Sequence, residues 1–415
     1  MTGPTIARRL EAAGLPALPR TSWLRVDLDL LAANQAALRV LAGDGVAVHV
    51  VVKADAYGHG AVPVARALED AGADGFCVAS FDEALELRAG GVRGPVVVLY
   101  ATPAAHVAEA ARRGIALTVA DDVLLGRTLD AIATARAAGA LRRRVAIHLQ
   151  VETGLGRDGV LPDAVVDAAR RVHATPGARL AGVWSHLAAP ADRASAGRQA
   201  DAFADAAVRL DGARVVRRTH HLSASGGVIA ASVPSHDAVR IGIAAFGIAP
   251  DALVHDPVVA ARLATLGQVA SIHALPVRVA DLPAGHGVGY GPSFVTARPS
   301  RIATLPIGYA DGWRRSFEGA AVLVRGCRVP TVGRISMDSV TADVTDVPGP
   351  PVTVDDEFVL VGAQGSERIG VEELARRGDT IAYEVIALLG RRLTRVYDSA
   401  TGIQGVRTLT GELRS

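Results

Sequence analysis

The sequence is almost without lysine. Lys53 is the only one among 44 basic residues, and arginine supplies the rest. Two readings of that fact stand side by side: a general preference for arginine that one lysine escapes, or a position where only an amine will serve. A guanidinium stays protonated and cannot attack a carbonyl, whereas a desolvated amine can lose its proton and do so. Cysteine is scarce as well. Cys77 and Cys327 are the two in the chain, too few for a disulfide framework, so a reducing compartment is expected. No stretch approaches the roughly 20 apolar residues that a membrane-spanning helix needs. The opening segment carries Arg8, Arg9 and Glu11 and has no apolar core of a signal peptide, so a soluble, cytoplasmic protein without membrane association is expected. Blocks of one charge are missing too. The formal net charge is +2, and the densest basic cluster, Arg142 to Arg144, reads as a solvated helix end before an apolar strand. No nucleic-acid surface is expected.

What is present is a chain of 415 residues, half of them apolar and 21% charged. That composition belongs to a folded protein, and the length suggests two domains, each with its own core. Between about residues 45 and 245 short apolar runs alternate with helical patterns. The runs are Val46 to Val52, Gly75 to Ala79, Pro95 to Tyr100, Ile115 to Val119, Val145 to Val151, Leu180 to Ser185, His220 to Ser223 and Ala238 to Ile243. They are nearly continuous in apolar residues, as strands covered on both faces should be. Between them, Ala61 to Ala71 stops at Gly72, Ala104 to Arg113 stops at Gly114, and a helix capped by Asp121 stops at Gly139. Eight strand-then-helix units predict a (β/α)8 TIM barrel within an α/β fold. A doubly wound sheet is the alternative, but no GxGxxG follows the first strand.

After about residue 262 the texture changes to short strands separated by Gly, Pro and Asp: Leu275 to Val279, Arg301 to Pro306, Ala321 to Val324, Val329 to Val332, Val340 to Val344 and Glu357 to Val361. Helices are expected over Val371 to Arg376 and Tyr383 to Leu389, and Val347 to Val352 reads as a loop. The expected division is a barrel over residues 22–262 and a mostly β domain over 263–415.

Active sites of such barrels lie at the C-terminal ends of the strands. Lys53 stands there, directly after the first apolar run, with Asp55, Tyr57 and His59 crowding the next turn and Gly58 and Gly60 allowing close backbone approach. Snorkelling out of the barrel mouth is the bland reading of this lysine. The loop after the seventh run, Ser223-Ala224-Ser225-Gly226-Gly227, and the eighth run, with Arg240-Ile241-Gly242-Ile243, occupy the positions where barrels often bind phosphate.

The stretch Val51 to Gly60 resembles the pyridoxal-phosphate attachment signature of the alanine racemase family. A second resemblance lies in Val332-Gly333-Arg334-Ile335-Ser336-Met337-Asp338, and the likeness runs from Trp23 to Tyr397. It implies a pyridoxal 5'-phosphate cofactor on Lys53, with Tyr57, Ser225, Tyr383 and the backbone of Gly242 and Ile243 holding its phosphate. It implies that Arg240 faces the pyridine nitrogen and keeps it unprotonated, which favours quick reprotonation of the substrate carbon over side reactions. Lys53 serves one face of the α-carbon and Tyr290, in Gly287-Val288-Gly289-Tyr290-Gly291-Pro292, the other. A free phenol is protonated at neutral pH, so that second base needs help. His186, in Trp184-Ser185-His186, matches the residue that bonds the tyrosine and links it to Arg240. Arg157 and the backbone of Met337 match binders of the substrate carboxylate, and Tyr309 matches a residue lining the entrance. The resemblance further implies a homodimer in which each site combines one subunit's barrel with the other's β domain, an amino-acid substrate, no metal, and a product, D-alanine, used in peptidoglycan.

Three positions depart from the family pattern. Gln150 stands where many members carry a carbamylated lysine beside Arg157, so that Arg157 is expected to rest on the Gln150 amide oxygen alone or on a bound anion such as chloride. Ala224 replaces an asparagine, and Ser336 a cysteine. These motivate an alternative, a racemase of broader or serine-preferring specificity. Two further readings are a non-enzymatic cofactor carrier, opposed by the second domain with Tyr290 and Met337, and a decarboxylase, which would need a carboxylate in place of Arg240.

Overall fold

The computed structural model describes residues 4–215, 219–250, 253, 257–291 and 293–415. Pro292, expected in the Tyr290 loop, lies outside the described residues. The chain forms two units. One comprises Ala32–Ala56 and Ala61–Leu266; the other holds Leu31 and the residues before it, Tyr57–Gly60, and Gly267–Ser415.

The first strand, β1 (Ser22–Asp27), falls within the segment that the sequence assigns to the barrel, yet it pairs with strands of the β unit described below. The barrel is built from β2 (Ala47–Val51), β3 (Gly75–Val78), β4 (Val96–Ala101), β5 (Ile115–Val119), β6 (Val145–Gln150), β7 (Ala178–Trp184), β8 (Thr219–His221) and β9 (Ala238–Ile241). All eight are parallel, in the order β8-β7-β6-β5-β4-β3-β2-β9. Closure between the two ends is made by a bridge of Ala224 to Arg240, with the Arg240 N–H donating to Ser223 O at 3.0 Å. Strands β3 and β6 are buried along their whole length, which is why they read as unbroken apolar runs. Local chemistry sets the helix ends. Asp121 accepts from the Leu124 N–H at 2.8 Å as an N-cap, and Gly114 closes its helix in the left-handed region at φ 64°. The fold is therefore the (β/α)8 barrel expected, followed by a mostly β region.

That region holds β10 (Ala270–Ala274), β11 (Arg278–Leu282), β12 (Gly287–Val288), β13 (Phe294–Val295), β14 (Ser300–Leu305), β15 (Ala321–Val324), β16 (Cys327–Val332), β17 (Val340–Asp343), β18 (Phe358–Gln364), β19 (Glu367–Ile369), β20 (Thr394–Ser399), β21 (Gly402–Thr408) and β22 (Gly411–Arg414). Its main sheet runs β11-β14-β17-β16-β15-β18-β10-β1-β20-β21-β22, with β19 on β18. The single strand expected over Leu275 to Val279 is replaced by β10 and β11 on either side of Pro276, which lacks the N–H that a continuous strand would donate. Helices occupy Val371–Arg377 and Ala382–Ala387. Tyr57–Gly60 is tied to this unit by Arg395, whose guanidinium donates to Gly58 O at 2.9 and 3.0 Å, and by the Tyr397 hydroxyl, which donates to His59 O at 3.1 Å. No helix among the described residues is long and apolar enough to cross a membrane.

Candidate active site

Lys53 follows β2 at the C-terminal end of the barrel. The next four residues take a conformation that L-residues avoid: Ala54, Asp55, Ala56 and Tyr57 all have φ between 52° and 56°. A left-handed turn costs on the order of 1–2 kcal/mol per residue, so the surroundings must hold it. Glu83 accepts from the Ala54 N–H at 2.6 Å and also from the Ala79 N–H at 2.8 Å. Asp55 accepts from the Ala61 N–H at 2.8 Å. The turn thus begins immediately after Lys53 and fixes its backbone. Burial first, and then the charge of Arg157, push the Lys53 amine below its ordinary value, against the opposing pull of Glu83. A lowered amine is the condition for nucleophilic attack near neutral pH.

Arg240 lies at the centre of the barrel, 2% exposed. One terminal nitrogen donates to His221 Nδ1 at 2.7 Å and to His221 O at 2.9 Å; the other donates to Ser185 O at 2.6 Å, Leu222 O at 3.1 Å and His186 Nδ1 at 3.3 Å. Its cation sits over the Trp184 ring at 4.6 Å. Burial lowers its pKa to about 10, which leaves it charged at neutral pH. Both terminal nitrogens are engaged, while none of these bonds uses Nε–H.

Ser225 is 4% exposed, and its Oγ accepts from the Gly242 N–H at 2.9 Å and the Ala244 N–H at 3.4 Å. The expected phosphate positions Ser225, Gly242 and Ile243 are thereby brought together, with the serine proton still free to donate. Ala224, the small residue in the family's asparagine position, bridges to Arg240 through its backbone.

The expectation for Arg157 needs correction. The Gln150 amide nitrogen donates to Asp158, both to its carbonyl at 3.1 Å and to its carboxylate, while Oε1 has no hydrogen-bond partner. Arg157 does not rest on Gln150. Its Nε lies 3.5 Å from Asp158 Oδ1, and its cation lies over the Tyr100 ring at 5.4 Å. Asp158 is the residue that the sequence reading missed. The signal was an acid directly after Arg157, eight positions from a glutamine whose side chain can donate to it.

In the β unit, Tyr57 and Tyr383 form an edge-to-face pair with ring centres 6.3 Å apart. Tyr309 and Met337 are joined through backbone bonds: the Tyr309 N–H donates to Ser336 O at 3.0 Å and the Ala310 N–H to Met337 O at 3.1 Å. Gly308 permits this approach, since a Cβ there would lie 2.4 Å from Ser336 O. Ser336 itself closes a tight turn, its Oγ accepting from the Ser339 N–H at 3.0 Å. Tyr290 occupies the tip of the β12–β13 hairpin between Gly289 and Gly291, and is 75% exposed.

The family model described as "Alanine racemase, N-terminal domain" matches residues 26–250, and "Alanine racemase, C-terminal domain" matches 269–397. The chain belongs to the alanine racemase family. The curated alanine racemase of Syntrophobacter fumaroxidans is 37% identical over 373 residues, covering 89% of this chain and 96% of that protein. That of Symbiobacterium thermophilum is 38% identical over 385 residues, covering 92% and 98%. Among solved structures, the alanine racemase of Bacillus anthracis, with bound L-Ala-P, superposes with a TM-score of 0.85 at 29% identity over 95% of this chain and 99% of that one. The Streptomyces lavendulae enzyme gives 0.82 at 35% identity over 92% and 98%. Alanine racemases are isomerases, and membership of their family makes this chain an enzyme of that class. Within the alanine racemase family frame, the barrel brings together Lys53, Arg157, His186, Ser225, Arg240, Gly242 and Ile243. Tyr57, Tyr290, Tyr309, Met337 and Tyr383 lie in the β unit.

Proposed function

We propose that this protein is a pyridoxal-phosphate-dependent alanine racemase acting as a homodimer, with the barrel unit carrying the cofactor and the β unit serving the partner's site. The observation that carries the reading is the sole lysine of the chain, its amine lowered by burial, in one barrel with a buried arginine whose two terminal nitrogens are fully engaged. The residues fit the cofactor. Arg240 has an Nε–H to offer the pyridine nitrogen, Ser225 a hydroxyl proton to offer the phosphate with the Gly242 and Ile243 backbone and Tyr57 and Tyr383, and Lys53 an amine for its aldehyde. Bound there, pyridoxal phosphate would supply an electron sink for the substrate's α-carbon.

The chain's own residues do the rest. The Lys53 amine takes a proton from, or returns it to, one face of the α-carbon. The Tyr290 phenol of the partner subunit does so on the other face. Arg240 donates to His186 Nδ1, so the neutral imidazole carries its proton on Nε2 and can donate it to a phenolate. Arg157, held by Asp158, meets the substrate carboxylate, with the Met337 backbone beside it and Tyr309 at the entrance. Three of these side chains, Tyr290, Tyr309 and Met337, are 75%, 42% and 51% exposed. That suits a site completed across a subunit boundary. The product, D-alanine, would enter peptidoglycan synthesis in the cytoplasm.

The test is a chiral assay of the purified protein with added pyridoxal phosphate against L-alanine, L-serine, L-lysine and L-arginine. D-alanine as the main product supports the proposal. Serine ahead of alanine moves it to the alternative, a broader-specificity racemase, which the Gln150–Asp158 pairing favours by changing what stands behind Arg157. No D-product from loaded protein removes both.

A further inference from the structure

Three imidazoles inside the barrel are unused by the proposed chemistry: His49 on β2, His148 on β6 and His221 on β8. Barrel interiors are ordinarily filled by layers of branched aliphatic side chains, so a polar column here calls for a reason. Its bonds fix a direction. Arg240 donates to His221 Nδ1 at 2.7 Å, and a guanidinium has no acceptor. Burial and the charge of Arg240 hold His221 well below its ordinary value, so it is neutral and carries its one proton on Nε2. His221 Nε2 lies 3.1 Å from His148 Nδ1, which is therefore the acceptor. Burial pushes His148 down to about 3, so it too is neutral, with its proton on Nε2. The column thus ends, away from Arg240, in an N–H donor.

That donor stands at a cleft. At the N-terminal mouth of the barrel, opposite the face carrying Lys53, a cavity of about 550 Å³ is lined by His49, His148, Thr219 and the guanidinium-bearing Arg143, Arg144 and Arg179; most of the remaining wall is aliphatic. The volume falls in the range of small-molecule sites, about 300–1,000 Å³. Neither Arg143 nor Arg144 has an ion pair or hydrogen bond among the described residues. His49 is 8% exposed and its Nδ1 has no partner. Gly182 makes room for the column: a Cβ there would lie 2.7 Å from the His148 ring and 2.4 Å from Thr219 Oγ1. Arg143 and Arg144 come from the basic run before β6, and the fold brings Arg179 of β7 beside them.

We propose that this cleft binds a compact organic anion, a carboxylate or phosphate head on an apolar body, with the head between Arg143, Arg144 and Arg179 and bonded by the His148 Nε2–H. Guanidiniums and an imidazole N–H supply donors to the head, and the aliphatic wall takes the body. An anion in that place accepts the His148 Nε2–H. The bonds from Arg240 through His221 have already placed that proton, so the donor facing the head is preset before any anion arrives.

The test is isothermal titration of the cofactor-saturated protein with benzoate and with phenyl phosphate, repeated on the Arg143→Ala/Arg144→Ala/Arg179→Ala variant. These arginines are exposed, and the variant is expected to fold and racemise as the parent does. Binding at about 1 mM or tighter, weakened at least about tenfold in the variant, is expected for one or both probes, and the pair distinguishes a carboxylate from a phosphate site. In protein labelled with ¹⁵N-histidine, the His148 Nε2–H resonance is expected to shift with the same titration curve. Equal binding by the variant, no heat with either probe, or an unmoved His148 resonance overturns the proposal. None of these readouts depends on which amino acid the enzyme racemises.

Discussion

Arg240 donates to Nδ1 of His186 at 3.3 Å, and this bond decides which way the imidazole acts. With Nδ1 occupied as an acceptor, Nε2 carries the proton. Burial, with Arg240, Arg157 and Lys53 adding like charge, pushes His186 down to about 3, so it does not become an imidazolium near neutral pH. It is a fixed neutral donor. Replacing it by leucine removes a donor to a phenolate in the proposed site, and losses of about a hundredfold in kcat accompany such removals elsewhere. His186→Leu is expected to lose that much in both directions of racemisation, with the visible absorbance of bound cofactor retained. An unchanged kcat takes His186 out of the reaction.

Lys53 offers a sharper test, because the rest of the chain contains no substitute amine on a side chain. Lys53→Arg keeps the charge, and Lys53→Ala removes it. Neither can bond an aldehyde covalently. Borohydride reduction followed by mass spectrometry is expected to attach the cofactor to the parent at Lys53 and to neither variant. A reduced adduct on either variant sinks the assignment.

The Asp158 carboxylate is shared by Gln150 and Arg157. Asp158→Asn preserves the shape and removes the negative charge that orients Arg157. The expected result is a KM for the amino acid raised about tenfold, equivalent to about 1.4 kcal/mol of binding, with kcat changed less than about twofold. A fall in kcat at constant KM would place Asp158 elsewhere in the mechanism.

How far these features could be seen beforehand depends on what carried them. The barrel strands were legible because β3 and β6 are covered on both faces and so show as apolar runs. Lys53 was legible because it is the only lysine. β1 was not, since it pairs with β10 and β20, partners far away in sequence that no local pattern announces. The strand expected across Pro276 failed because apolar content was read without the missing N–H. The Asp158–Gln150 pairing was hidden for a different reason. It depends on which amide atom faces which neighbour, and the sequence names the residues without orienting them. The His148–His221 column is similar: a histidine in an apolar run does not reveal that a second one lies 3.1 Å away on another strand.

The same column predicts an acid response. His148 is held at about 3 by burial first and then by neighbouring positive charge, against roughly 6.5 in an unfolded chain. Between those values the unfolded state binds a proton that the folded state does not. Stability therefore rises with pH through this window and is lost as pH falls from about 6.5 to about 3, with a slope from this group of about 1.4 kcal/mol per pH unit. Urea denaturation at several pH values is expected to show that slope reduced by one proton in His148→Gln. An identical slope in parent and variant means that His148 is not buried neutral.

The placement of Tyr290 leads to the last prediction. An aromatic side chain 75% exposed at a hairpin tip has little to pack against in its own unit. If each site takes Lys53 from one subunit and Tyr290 from the other, two inactive variants should repair each other. Lys53→Ala keeps Tyr290, and Tyr290→Phe keeps Lys53. In a mixed dimer one site receives both wild-type residues and the other neither. With random pairing of equal amounts, about half the dimers are mixed and half of their sites are whole, so about a quarter of the parent activity should return. Co-unfolding and refolding, or co-expression with two tags, allows the exchange, and the chiral assay reads the result. Activity that stays at the level of the separate variants, while mixed dimers are demonstrably present, would mean that Lys53 and Tyr290 of one chain serve the same site.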